Sequence, residues 1–153
     1  LHDAFRSSDA GGGIYNAEQS SVTLSSTGDF GGEGTNTAAL YAPGIYNSGE
    51  LRAENTRVIT NGVYLSSRNS IVRIVGPLAA GSRIQIDGSG YVSPNDAGIP
   101  IVIAEAAPPY RQLTETDRES FLKPPSGFDG WEIRLSGDLT QVLLAPPGPG
   151  AGE

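Results

Sequence analysis

Few residues in this chain can do chemistry, and their spacing narrows what that chemistry is. One histidine, His2, is present, and it stands at the second position. A Ser-His-Asp arrangement or a histidine metal site would have to use it. A chain terminus is a poor platform for groups that must be held to a fraction of an ångström. Cysteine is absent, which removes thiolate nucleophiles, disulfides and every cysteine zinc site. Carboxylate pairs remain. Glycoside hydrolysis needs two carboxylates, about 5 Å or about 6.5–9.5 Å apart across the bond. By proximity in sequence the candidates are Asp29 with Glu33 and Glu50 with Glu54. On one strand Glu50 and Glu54 would face the same side about 13 Å apart, too far for a pair. They read as solubilising charges, and no catalytic residue is assigned.

Binding is the more open question. Calcium suits an acidic β protein through oxygen ligands, and Asp87, Ser89, Asn95 and Asp96 are oxygen donors in one stretch. That stretch lacks the Asp-x-Asp-x-Asp-Gly order, so it reads as a turn, and no metal or cofactor is expected. The Gly11-Gly12-Gly13 run lacks the strand–loop–helix context of a phosphate cradle. Arginines cluster: Arg52, Arg57, Arg68, Arg73 and Arg83 occupy a stretch whose only acids before Asp87 are Glu50 and Glu54. If stacked strands align Arg52, Arg57, Arg73 and Arg83, they make a strip able to grip sulfated or uronic-acid glycans by paired hydrogen bonds. The plainer reading is outward strand positions filled with arginine, the dominant cation here. Tyr15, Tyr46 and Tyr64 recur in one phrase. On the outside they would form an aromatic ladder for sugar faces; at a corner they would cover the core, and corner packing is the favoured expectation.

Those residues need elements to position them, and the chain repeats itself. Gly12-Gly13-Ile14-Tyr15-Asn16 returns as Pro43-Gly44-Ile45-Tyr46-Asn47 and more loosely as Asn61-Gly62-Val63-Tyr64-Leu65, at spacings of 31 and 18 residues. After each phrase comes an alternating stretch: Val22-Thr23-Leu24, Leu51-Arg52-Ala53, then Val72-Arg73-Ile74. Alternation places one side chain inside and the next in solvent, as in a half-buried strand. A constant phrase at an irregular period is what stacked coils of a β-solenoid give, since loops of different length leave equivalent corners. In the phrase, glycine permits a tight corner, the Ile or Val points inward, and the Asn amide can bond backbone or an equivalent amide one coil away.

Further on, Val72 and Ile74, Ile84 and Ile86, then Ile99, Ile101 and Ile103 predict three short strands separated by glycine turns. Thr114 with Asp117 three residues later predicts a helix N-terminus, an acidic variant of the capping box, and Pro124-Pro125 its end. Trp131, Ile133 and Leu135, a Ser136-Gly137-Asp138 turn, then Val142 and Leu144 predict a closing hairpin. Expected boundaries are a flexible segment 1–10, coils over 11–104, a C-terminal cap over 105–145, and a disordered Pro/Gly tail over 146–153. Within the cap the helix is expected at about 114–122 and the hairpin at about 130–144.

Composition agrees with a turn-rich β domain: 21 glycines and 11 prolines stand among 153 residues. The formal charge of −7 argues against nucleic acid, which needs a basic stripe. No apolar run is long enough to span a bilayer, and the first ten residues show no signal-peptide pattern. With no methionine at all, a processed piece of a longer protein is expected.

GGGIYN and GIYNSGEL, followed by NGVYLSSRNSIVRIVGPLAAGSRIQI, resemble the repeat region of large bacterial cell-surface parallel β-helix proteins. The resemblance covers roughly 11–104, and the segment 105–145 fits the terminal region of such proteins more loosely. The spacing of 31 residues would hold one long or two irregular coils. The resemblance implies an all-β right-handed parallel β-helix, closed by a cap of one short helix and a β-hairpin. It also implies a place outside the cell, on a bacterial surface, with adhesion or display as its work, and it carries no catalytic residues. The expected partners are cell-surface or host glycans and adjacent domains of a longer chain. The alternatives are a polysaccharide lyase or glycoside hydrolase on the same scaffold, and a stalk spacer with no ligand.

Overall fold

In a computed structural model, the structure describes residues 6–7, 14–25, 29–30, 37–38, 45–54, 57–66, 70–87, 99–124 and 127–146. In chain order the strands are β1 (Arg6–Ser7), β2 (Ile14–Asn16), β3 (Ser21–Ser25), β4 (Asp29–Phe30), β5 (Thr37–Ala38), β6 (Ile45–Asn47) and β7 (Glu50–Glu54). They continue as β8 (Arg57–Leu65), β9 (Val72–Ile74), β10 (Arg83–Asp87) and β11 (Ile101–Ala106). After helix α1 (Glu115–Glu119) come β12 (Phe121–Leu122), β13 (Glu132–Leu135) and β14 (Gln141–Ala145). The described chain is all-β in class, with mostly parallel pairing. Among the described residues no helix is long and apolar enough to cross a membrane.

The repeated phrase becomes one sheet, ordered β12-β10-β8-β6-β2, and the alternating stretches become the other, ordered β13-β14-β11-β9-β7-β3. Equivalent residues lie on one another. Ile14 pairs with Ile45 and Ile45 with Val63; Tyr15, Tyr46 and Tyr64 follow the same order. In the second sheet Val22, Leu51 and Val72 align, as do Leu24, Ala53 and Ile74. Parallel pairing in register repeats each inward position every ~4.8 Å, so an apolar residue at one phrase position forms a continuous column. Ile45, Leu51, Val63, Val72, Ile74 and Ile86 are fully buried in these columns. Each contributes roughly 1.5–3 kcal/mol by burial.

The looser third phrase has a structural cause. Between β8 and β10 the register shifts, from Ile84 opposite Thr60 to Ile86 opposite Val63. Asn61-Gly62 supplies the extra residue, as a β-bulge does. The N-terminal part of β8 pairs with β4, Arg57 opposite Asp29, and its C-terminal part with β6, so on the side away from β10 a single strand serves two neighbours.

At the C-terminal end the pairing changes sense. Strand β11 is parallel to β9 but antiparallel to β14, which forms an antiparallel hairpin with β13. Helix α1 begins at a complete capping box: Thr114 accepts from the Asp117 amide, and the Asp117 carboxylate accepts from the Thr114 amide. It ends at Glu119 rather than near residue 122, because Phe121 and Leu122 leave the helix to pair with Ile84 and Gln85. Ile99 is 55 % exposed and precedes β11 rather than belonging to it. Trp131 precedes β13 and is buried, its ring edge-on to Phe128 at 5.2 Å. The calcium-like stretch from Gly88 onward, Glu33, Arg68, the tail beyond residue 146 and most of segment 1–10 lie outside the described residues.

Candidate functional site

The corner joining the two sheets is built from short polar turns laid one upon another. Residues 17–20 link β2 to β3, 48–49 link β6 to β7, and Ser66 and Ser70 flank the connection from β8 to β9. On the inner side of this corner the phrase asparagines meet. Asn16 Nδ2 donates to Asn47 Oδ1 at 2.7 Å and to the Glu50 carbonyl at 2.9 Å, while Asn47 Nδ2 donates to the Ser70 carbonyl at 3.1 Å. These buried amides satisfy turn carbonyls that would otherwise lose their water partners. In the third phrase Leu65 takes the Asn47 register and is fully buried, so the amide column stops there.

On the outer side the corner opens into a groove of about 1020 Å³. Its floor and rim carry Ser48, Ser66 and Ser70, with Arg52 and Arg73 on one flank, Tyr46 on the other, and Ala107 and Pro108 at the C-terminal end. Ser70 Oγ donates to the Ser48 carbonyl at 3.2 Å and lies 3.4 Å from Ser66 Oγ. Gly49 is where the turns touch most closely: a Cβ there would overlap the carbonyl oxygens of Ala17 and Ser20.

The arginine flank follows directly from strand register. Thr23, Arg52, Arg73 and Glu105 are consecutive in one outward column. Two guanidinium groups one strand apart repel, and carboxylates compensate. Glu50 Oε1 lies 3.9 Å from Arg52 Nε and 3.7 Å from Arg73 Nε, and Glu105 pairs with Arg73 from the other side. The flank is therefore charge-compensated, not a bare basic strip. Arg83 is exposed on β10 of the other sheet, away from the groove, and Arg57 heads β8 opposite Asp29. Arg52 and Arg73 share this surface.

Tyrosines 15, 46 and 64 form a column of stacked rings, with centroids 4.9 Å and 4.7 Å apart and planes within 8° and 20°. Such stacking adds about 0.5–1.5 kcal/mol per pair beyond burial. It also occupies the faces a sugar would need. Tyr46 is covered on both faces and shows the groove only an edge, Tyr64 is buried, and Tyr15 at 62 % exposure keeps one face open.

Sequence reading missed Glu105 and the serines. Glu105 lies in another segment, and only the parallel register of β11 on β9 sets it against Arg73. The serines did leave a signal, Ser48 and Ser66 following Asn47 and Leu65 at the same phrase position. Chemically the groove offers hydroxyls, two guanidinium donors and carboxylate acceptors. Both Glu50 and Glu105 are engaged with Arg73, so the carboxylates serve as acceptors and counter-ions. Among the described residues no group of three His, Asp or Glu side chains is placed to hold a metal ion. A second polar centre lies outside the groove. The Asp117 carboxylate, fully buried, accepts from Leu78 N, Tyr110 Oη, Thr114 N and Thr114 Oγ1 at 2.6–3.1 Å. Burial, reinforced by the Asp117 charge and hydrogen bond, pushes the Tyr110 hydroxyl up to about 12.

Set beside family models, curated proteins and solved structures, the chain matches none.

Proposed function

We propose that the chain is a non-catalytic extracellular surface domain, working in adhesion or display on a bacterial cell, with the corner groove as its glycan-binding site. In this reading the two parallel sheets are faces of a right-handed parallel β-helix whose coils each contribute one phrase and one alternating strand. In-register stacking of Ile14-Tyr15-Asn16 on Ile45-Tyr46-Asn47 supports it, as does the resemblance of the repeats to bacterial surface β-helix proteins.

The observation that carries the binding reading is the groove itself, where Arg52, Arg73 and Glu50 stand beside five serines along one open corner. Guanidinium donors next to carboxylate acceptors suit vicinal hydroxyls, which donate and accept together. A sulfated or uronic-acid chain would have to displace Glu50 and Glu105 from arginines they already hold. The ligand class is accordingly a neutral, hydroxyl-rich glycan, and its binding depends only weakly on salt.

The test is a broad glycan array probed with the multimerised domain at low and physiological salt, avidity compensating for a weak single site. Neutral glycans are expected to bind at both salt levels. Arg73→Ala is expected to abolish binding while changing stability by less than about 1 kcal/mol, since the pair is partly exposed. A silent array would favour a ligand-free spacer, and trimmed array glycans would favour an enzyme.

A further inference from the structure

The amide column has a direction, and its first member is incomplete. Asn47 receives from Asn16 and donates onward to Ser70. Asn16 spends Nδ2 on Asn47 and on the Glu50 carbonyl, yet its Oδ1 is buried and has no hydrogen-bond partner, in a residue only 1 % exposed. Turning the amide over cannot help, because it would set an acceptor against two acceptors. A buried acceptor left without a donor is destabilising, because it has given up water for nothing in return.

Two other observations fall at the same end. Tyr15 begins the ring column with its outer face open at 62 % exposure. Among the described residues, strands β2 and β3 are the outermost strands of their sheets, each hydrogen-bonded on one side only. Strand β1, the described segment upstream, pairs with β5 rather than β2. Residues 1–13 contain no asparagine or glutamine to complete the amide column.

We infer that this edge is a docking site for one more extended polypeptide strand, laid parallel to β2 and carrying an aromatic residue over Tyr15 followed by an asparagine over Asn16. The incoming amide donates to Asn16 Oδ1, the incoming ring closes the open face of Tyr15, and strand addition supplies main-chain hydrogen bonds. A second copy of this chain does not have that chemistry. Edge to edge, its own Asn16 has no free Nδ2 hydrogen to offer. At its opposite end the phrase sheet finishes in Phe121–Leu122, which holds no amide side chain.

The experiment adds to the full chain a fluorescent peptide copying residues 11–25, and reads anisotropy together with the thermal midpoint of the chain. The peptide is expected to bind saturably and raise the midpoint by a few degrees, as any ligand of the folded state does. Replacing its asparagine with aspartate removes the donor while keeping the shape, and is expected to weaken binding at least about tenfold. Replacing its tyrosine with alanine is expected to weaken binding about threefold or more. Three results would overturn the inference: no saturable binding up to millimolar peptide, equal binding of the aspartate peptide, or sedimentation showing a dimer that Tyr15→Asp dissolves.

Discussion

At the C-terminal end of the stack, four hydrogen bonds converge on the buried carboxylate of Asp117 and tie the loop at Leu78 to Tyr110 and Thr114. At the N-terminal end the corresponding buried polar group, Asn16 Oδ1, has no partner, and Tyr15 lies open above it. Both ends terminate the same two sheets. The closed end changes to antiparallel pairing, inserts a helix, adds the two-residue β12 to the phrase sheet and buries Phe128 and Trp131 in the core. At the other end, among the described residues, β2 and β3 are the outermost strands and no strand is paired beyond them. Unpaired parallel edges recruit other strands unless something blocks them, so the contrast is between an end whose buried polar group is fully satisfied and one whose buried acceptor is not.

The largest expected effect comes from breaking the closed end. Asp117→Ala leaves the buried Leu78 amide and the partly buried Tyr110 hydroxyl without their acceptor and breaks the capping box at Thr114, and should cost about 4 kcal/mol in denaturant unfolding. A loss under about 1 kcal/mol would mean that the end is held by apolar packing alone. Gly49→Ala, at the corner between the ends, should cost about 3 kcal/mol, because the atoms it meets are backbone carbonyls that cannot swing aside. Full tolerance would show that the turns at 17–20 and 48–49 are not in contact.

A smaller effect separates the ends by pH. The Tyr110 hydroxyl is raised from an ordinary value of 10.0 to about 12 in the folded chain. The neutral phenol is thus favoured by folding, and its contribution is whole below pH 10 and lost as pH climbs toward 12. Tyr110→Phe should flatten that alkaline decline. An unchanged decline would move its origin away from the Asp117 network.

What the sequence disclosed and what it hid follow from the range of the interactions. Stacking of the phrase was legible because it is periodic: Ile, Tyr and Asn return together, and parallel register sets like upon like. The capping box was legible because Thr114 and Asp117 are three residues apart. The groove was legible only in part. Arg52 and Arg73 follow equivalent phrases, so their alignment could be expected. Arg83 falls in the same arginine-rich, acid-poor stretch of sequence, yet it belongs to the phrase sheet. Compensation of the arginines by Glu105 depends on a pairing between residues 32 apart in sequence, which composition cannot reveal. Likewise Asp117 gave its local role but not its reach to Leu78, 39 residues away.

The most direct test of the contrast between the ends is native-state amide hydrogen exchange resolved by residue. Amides of β11 and β14 should exchange only through global unfolding, whereas those of β2 should exchange through local opening, orders of magnitude faster. Adding the peptide of residues 11–25 should slow β2 and leave β14 unchanged. Protection of β2 equal to that of β14 in the chain alone would contradict an open N-terminal edge.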